Sequence, residues 1–193
     1  MRFPVAFRHL LSVLAGAMLA ATAGGALRST DRFTLTALER EPKMNPRRFA
    51  DLFELFRYTY YPYVQRVEVF LENRSGDCDD YAILADHILT RQGYHTRLVR
   101  VAMVGSDIAH VICYVNENQA YLDYNNRKVA MTLERAGPTL RQIAAKVADS
   151  FEKNWTSATE YTFSYANYHK TTRYTVVKTD PPERDPDRIT GLQ

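Results

Sequence analysis

The stretch Gly76-Asp77-Cys78-Asp79-Asp80-Tyr81-Ala82 constrains this chain more than any other, because it sets where a long helix must begin. Asp77 is a good N-cap, and Asp80 stands at the third helical position, a variant of the capping box. From there Ala82, Ile83, Ala85, Ile88 and Leu89 supply an apolar face up to about Gln92, and Gly93 suits the C′ position. Cys78 therefore falls in the first turn, where orphan N–H groups and the macrodipole favour negative charge. The thiolate, not the thiol, is the nucleophilic form of cysteine. Downstream lie His110, near the start of a strand-like run from His110 to Val115, and Asp123, at the end of another from Ala120 to Asp123. A thiol, an imidazole and a carboxylate on helix, strand and strand are the parts of an acyl-transfer site. The thiolate attacks a carbonyl, the imidazole accepts and returns the proton, and the carboxylate orients the imidazole. Cys78, His110 and Asp123 are the candidate catalytic residues.

Around this stretch the pattern predicts helices first and hairpin strands afterwards. Arg28 to Asn45 is polar, with Pro42 near its end and Pro46 just beyond, and reads as a linker over 24–45. Pro46 opens a helix expected to run to about Tyr60, with Phe49, Leu52, Phe53, Phe56 and Tyr60 on one stripe. Tyr58, Tyr60, Tyr61 and Tyr63 cluster around Pro62, a pattern more typical of core and rim packing than of a glycan or base platform. Asn73 to Gly76 reads as a turn. His95 to Met103, His110 to Asn116 and Ala120 to Asp123 follow as strands, joined by turns at Gly105-Ser106-Asp107 and Glu117-Asn118-Gln119, with Asn125-Asn126 opening the next bend. Thr139 to Asp149 has helical periodicity, and Glu160 to Tyr165 and Arg173 to Lys178 resemble late strands. This order argues an α+β fold with an antiparallel sheet. The segment 181–193 is charged and proline-rich, and is expected to be disordered.

The N-terminus stands apart. Arg2 and Arg8 precede an apolar run from Leu10 to Ala23, and Ala21-Thr22-Ala23 matches an A-x-A cleavage signal, so residues 1–23 read as a secretory signal peptide. An uncleaved anchor is the alternative, although Arg8 and His9 leave the run short of the ~20 residues a span needs. Either way the body of the protein is expected outside the cytoplasm, periplasmic or secreted. The chain has 193 residues, 25 basic and 22 acidic; losing residues 1–23 removes two arginines and no acid, leaving 23 against 22. A nearly neutral body with no basic stripe excludes nucleic acid as a partner.

Two cysteines in an exported chain would ordinarily suggest a Cys78–Cys113 disulfide. Side chains alternate along a strand, so His110 shares a face with Ile112 and Tyr114 while Cys113 lies on the other. If His110 points at Cys78, Cys113 points away into the core, and triad and disulfide exclude each other. His87, His95 and His169 read as surface or core residues, and no Cys/His pairing has zinc spacing, so neither a metal nor another cofactor is expected. The first-turn acids mainly complement the dipole, and no Asp-x-Asp-x-Asp-Gly calcium loop is present. The backbone N–H of Cys78 is the candidate oxyanion donor. A second should come from the preceding segment, with Gln65, Tyr60, Tyr61 and Tyr63 all open.

Gly76-Asp77-Cys78-Asp79-Asp80-Tyr81-Ala82, then Ala109-His110-Val111, then Tyr121-Leu122-Asp123, resembles the transglutaminase-like superfamily, and among it the bacterial transglutaminase-like cysteine peptidases. The likeness covers about residues 46–130. It implies a papain-like α+β fold over 46–180, with Cys78 as nucleophile, His110 as base and acid, and Asp123 as orienter. Some members bind calcium through acids flanking the nucleophile, which would map to Asp77 and Asp79. The expected function is hydrolysis of a protein or peptide amide in the cell envelope through a thioester, by a monomer. Acyl transfer to an amine and a non-catalytic binding module on the same fold remain as alternatives.

Overall fold

The computed structural model describes residues 33–125 and 133–179. The leader expected over 1–23 and the tail over 181–193 lie outside the described residues, as does Asn126. Thr34 accepts the Ala37 N–H and so starts a helix, α1, over Leu35–Arg40. Its Leu38 is buried in the core, so this part of the expected linker belongs to the domain. Asn45 caps α2, Pro46–Leu52, by accepting from Arg48 N, with Pro46 in the first turn. The helix does not continue to Tyr60. Phe53 and Phe56 fold back against each other and against Phe49, Phe70 and Tyr81, forming one aromatic knot. An aromatic stripe with helical spacing thus closes through a turn. Released from the helix, β1 (Arg57–Tyr58) pairs in parallel with β2 (Ser75–Gly76).

Between those strands lies α3, Val67–Asn73, which ends in a left-handed Arg74. Its start has no side-chain cap of its own; the Val67 N–H instead donates to the Tyr168 hydroxyl from the far end of the chain. Gly76 follows, and a Cβ there would sit 2.6 Å from the Phe70 ring and 2.7 Å from Asp80 Oδ2. Only glycine fits between the aromatic knot and the next helix. That helix, α4, spans Cys78–Arg91 with the expected capping box. Gly93 ends it with a positive φ of 89°.

The strands β3 (Thr96–Met103), β4 (His110–Val115), β5 (Ala120–Leu122) and β6 (Leu133–Arg135) form successive antiparallel pairs. After α5 (Leu140–Asp149), capped by Thr139 and Gln142, come β7 (Trp155–Ser164) and β8 (His169–Val177). The sheet order is β6-β5-β4-β3-β7-β8, so β7 returns to pair with β3 rather than with its predecessor. Both faces are covered. Leu98, Val111, Cys113, Val115 and Leu122 pack with α1 to α4, while Val99, Val101, Ile112, Tyr114 and Tyr121 pack with α5. Every residue of β4 is consequently buried. The fold is α+β, with a helix-first layer set on an antiparallel sheet. Among the described residues no helix is long and apolar enough to cross a membrane.

Candidate active site

The chain leaves β2 and enters α4 within two residues, and that step places Cys78 at the first helical position. Asp77 accepts the Asp79 N–H at 3.1 Å and that of Asp80, while Asp80 Oδ2 accepts the Asp77 N–H at 3.2 Å. The box thus uses the N–H groups of residues 77, 79 and 80 and not that of Cys78. Asp80 reaches further. Its Oδ1 accepts from Gln65 N at 2.8 Å and its Oδ2 from Gln65 Nε2 at 2.6 Å, and Nε2 also donates to Ser75 O at 3.0 Å. Tyr61 N donates to Asp77 Oδ2 at 2.9 Å. The segment 61–65 is therefore fastened to the helix start by its own amides.

His110 is the first residue of β4, and Asp123 is the residue after β5. In the antiparallel register they are diagonal neighbours on one face. His110 Nε2 lies 2.9 Å from Asp123 Oδ1, an oxygen that also accepts the Asn125 N–H at 2.8 Å. Both side chains are buried, Asp123 completely. The Phe151 ring, just past α5, meets the imidazole edge-on at 4.8 Å. Cys78 lies near enough for its side chain to act on the charge of the imidazole. With Nε2 turned to Asp123, Nδ1 is the nitrogen left for the sulfur. Burial works against the imidazolium, but the hydrogen bond to Asp123, and the influence of Asp123 and Cys78 as charges, outweigh it and raise the His110 pKa to about 10. The structure thus sets His110 against Asp123 and puts Cys78 within electrostatic reach of the ring.

The alternation along β4 holds, yet the layers fall differently from expectation. Cys113 faces α4, and His110 lies on the face shared with α5. Both cysteines are free. Cys113 lies within electrostatic reach of Asp86, eight residues along α4 from Cys78, or about 12 Å of helix. A disulfide needs Cα atoms about 4.4–6.8 Å apart. The two thiols lie in the same core layer and are not joined. Burial pushes the Cys113 thiol well above its ordinary range.

Three acids flank Cys78. Burial, and then the neighbouring Asp79 carboxyl, push the Asp77 carboxyl up to about 7. Burial also raises Asp80, against the hydrogen bonds from Gln65. Asp79 Oδ2 is met at 3.0 Å by Lys170 Nζ, from β8, while its Oδ1 is buried with no partner. One oxygen of each acid lies within 4.8 Å of the others. Calcium takes about six to eight oxygens, and here Asp80 is committed to Gln65, Asp77 to Tyr61 and the helix start, and Asp79 to an ammonium. As arranged, these acids form a hydrogen-bonded collar, with Lys170 as the cation at Asp79 Oδ2.

Lys170 and Phe151 are absent from the reading of the sequence, and no local pattern marks either. Of the residues left open as a second oxyanion donor, Gln65 is occupied by Asp80 and Ser75. The remaining histidines sit elsewhere: His87 bonds Glu39 at 2.7 Å, His95 bonds Glu117 at 2.6 Å, and His169 opens β8.

Comparison with known proteins gives two kinds of likeness. A family described as a transglutaminase-like domain matches residues 38–135. Among solved structures, calcium-bound LapG of Legionella pneumophila is similar at 17% identity and a TM-score of 0.42, over 64% of this chain and 68% of that one. The EGTA-treated form of the same protein matches at 15% identity and a TM-score of 0.43, over 72% and 76%. No curated protein matches the chain.

Proposed function

Because the chain belongs to the transglutaminase-like domain family, we propose that it is an extracytoplasmic cysteine peptidase or amidase that works through a thioester on Cys78. The observation that supports this reading is the buried His110–Asp123 pair, with Cys78 at the start of α4 close enough for its charge to act on the ring. The Cys78 thiolate attacks the carbonyl carbon, and the C–S bond forms as the carbonyl electron pair moves to oxygen. The His110 imidazolium gives its proton to the leaving amine, then takes one from water as that water resolves the thioester. Asp123 holds the ring by its Nε2 and stabilises its positive form. The leader pattern of residues 1–23 supports a place outside the cytoplasm, and with it a protein or peptide of the cell envelope as substrate. Tyr58, Tyr60 and Tyr63, exposed on the segment fastened beside the helix start, are the wall against which such a substrate would lie.

The test is to trap the acyl-enzyme. Wild-type and Cys78→Ala protein are incubated with envelope extract, with and without a labelled primary amine, and adducts and new termini are identified by mass spectrometry. New peptide termini that require Cys78 are the expected result. Amine incorporation without cleavage would replace the peptidase by an acyl transferase, and the absence of any product that requires Cys78 would leave a binding module.

A further inference from the structure

An acyl-enzyme reaction places negative charge on the former carbonyl oxygen, and that oxygen needs donors held in place before it forms. The Cys78 N–H is one, left unused by the capping box. In the preceding segment most donors are already spent. Thr59 N donates to Gly76 O at 2.8 Å, Tyr61 N to Asp77, and Gln65 through both its nitrogens to Asp80 and Ser75. The Thr59 hydroxyl is bonded to Ser75 at 2.7 Å. Tyr58 differs. It is paired with Gly76, two residues before the nucleophile, and its ring rests 5.6 Å from that of Tyr124, the neighbour of Asp123. Tyr124 is itself locked, its hydroxyl donating to Arg57 O at 2.8 Å. The Tyr58 phenol is thus carried on a short strand beside the nucleophile and braced from the side of the orienting acid. It is 46% exposed, so a substrate can reach it.

We infer that the Tyr58 hydroxyl is the second donor to the oxyanion formed on Cys78, acting with the Cys78 N–H. The inference rests on the acyl-enzyme reading above and names a group within it. Its electrostatic surroundings agree: besides burial, the charges that act on the phenol are those of Cys78, Asp77, Asp123 and Asp79, all members of the site, and together they raise its pKa to about 12. A phenol kept protonated throughout the working range stays a donor. As the carbonyl pair moves to oxygen, Tyr58 keeps its proton and only shortens its hydrogen bond; the proton that leaves with the amine comes from His110.

Tyr58→Phe keeps the ring against Tyr124 and removes only the donor. Three reactions of the purified protein separate the roles: acylation by p-nitrophenyl acetate, reversible binding of a peptide aldehyde, and alkylation by iodoacetamide. The first two pass through a tetrahedral oxyanion or its hemithioacetal mimic, and the third does not. The expected result is a loss of about 10²–10³ in acylation rate and in aldehyde affinity, in line with removing one oxyanion donor, with alkylation unchanged. Acylation and aldehyde binding at wild-type levels in Tyr58→Phe would overturn the assignment. A parallel fall in alkylation would overturn it too, since that reports a disturbed thiol. If Cys78→Ala were acylated as fast as wild type, the acyl-enzyme reading itself would fall, and this is told apart by the variant in which it appears.

Discussion

The imidazole of His110 carries opposing influences that can be separated by mutation. Burial disfavours its charge, and the hydrogen bond to Asp123 is the first of the influences that restore it. An imidazolium held to about pH 10 places the loss of activity at high pH far above the ordinary histidine range. Asp123→Asn removes the negative partner, so the folded-state pKa must fall, and the basic limb of the kcat/KM profile is expected to move to lower pH. Turnover should drop by about 10²–10⁴, by analogy with other triads. A variant with the wild-type limb would show that Asp123 does not govern the ring. The two thiols offer a second check at this scale. Cys113, on β4, is wholly buried, so limiting iodoacetamide across pH 5 to 9 is expected to label Cys78 and spare it. Equal labelling, or a Cys78–Cys113 disulfide in fresh protein, would contradict the assignment of the nucleophile.

At the scale of elements, the start of α4 is held by one carboxylate that accepts three hydrogen bonds. Asp80 closes the capping box through Asp77 N and takes both nitrogens of Gln65, which ties the tyrosine segment to the helix. Asp80→Ala would leave those donors buried without an acceptor, at about 1–3 kcal/mol each. A clear fall in the urea midpoint is expected, and an unchanged midpoint would mean that the segment is held by other means. The helix itself was legible because its signals are local. Asp77 and Asp80 three residues apart, and Thr139 with Gln142 at the start of α5, announce their helices without reference to the rest of the chain. The hairpin strands β3 to β5 were legible for the same reason, their turns lying between apolar runs. The end of α2 was not. Whether Phe53 and Phe56 extend a helical stripe or fold into an aromatic knot depends on Phe70 and Tyr81, which the local periodicity does not contain. Strands β2 and β6 are two and three residues long and exist only through their partners.

For the whole molecule, the residues least visible in the sequence are those that close the site from a distance. Lys170 meets Asp79 across 91 positions, and Tyr168 caps α3 across 101. Both belong to the β7–β8 hairpin, outside the residues 38–135 that carry the family likeness. Cys78, His110 and Asp123 could be picked out by residue type and order, but the collar around them is made by the fold. The insertion of β7 beside β3 has a further consequence, in time rather than in space. A chain is made from its N-terminus, so Cys78, His110 and Asp123 all exist before the strand that completes their sheet. Until β7 arrives, β3 is an open edge whose neighbours cannot settle, and non-local pairing of this kind is slow. On the proposed reading, the Cys78 thiol is therefore expected to stay idle during synthesis and to become competent only when the last hairpin docks. A chain ending after Asp149 should bind hydrophobic dyes, melt without cooperativity and lose its selectivity for Cys78 over Cys113; a cooperative melt with that selectivity intact would show that the site matures without its final strands.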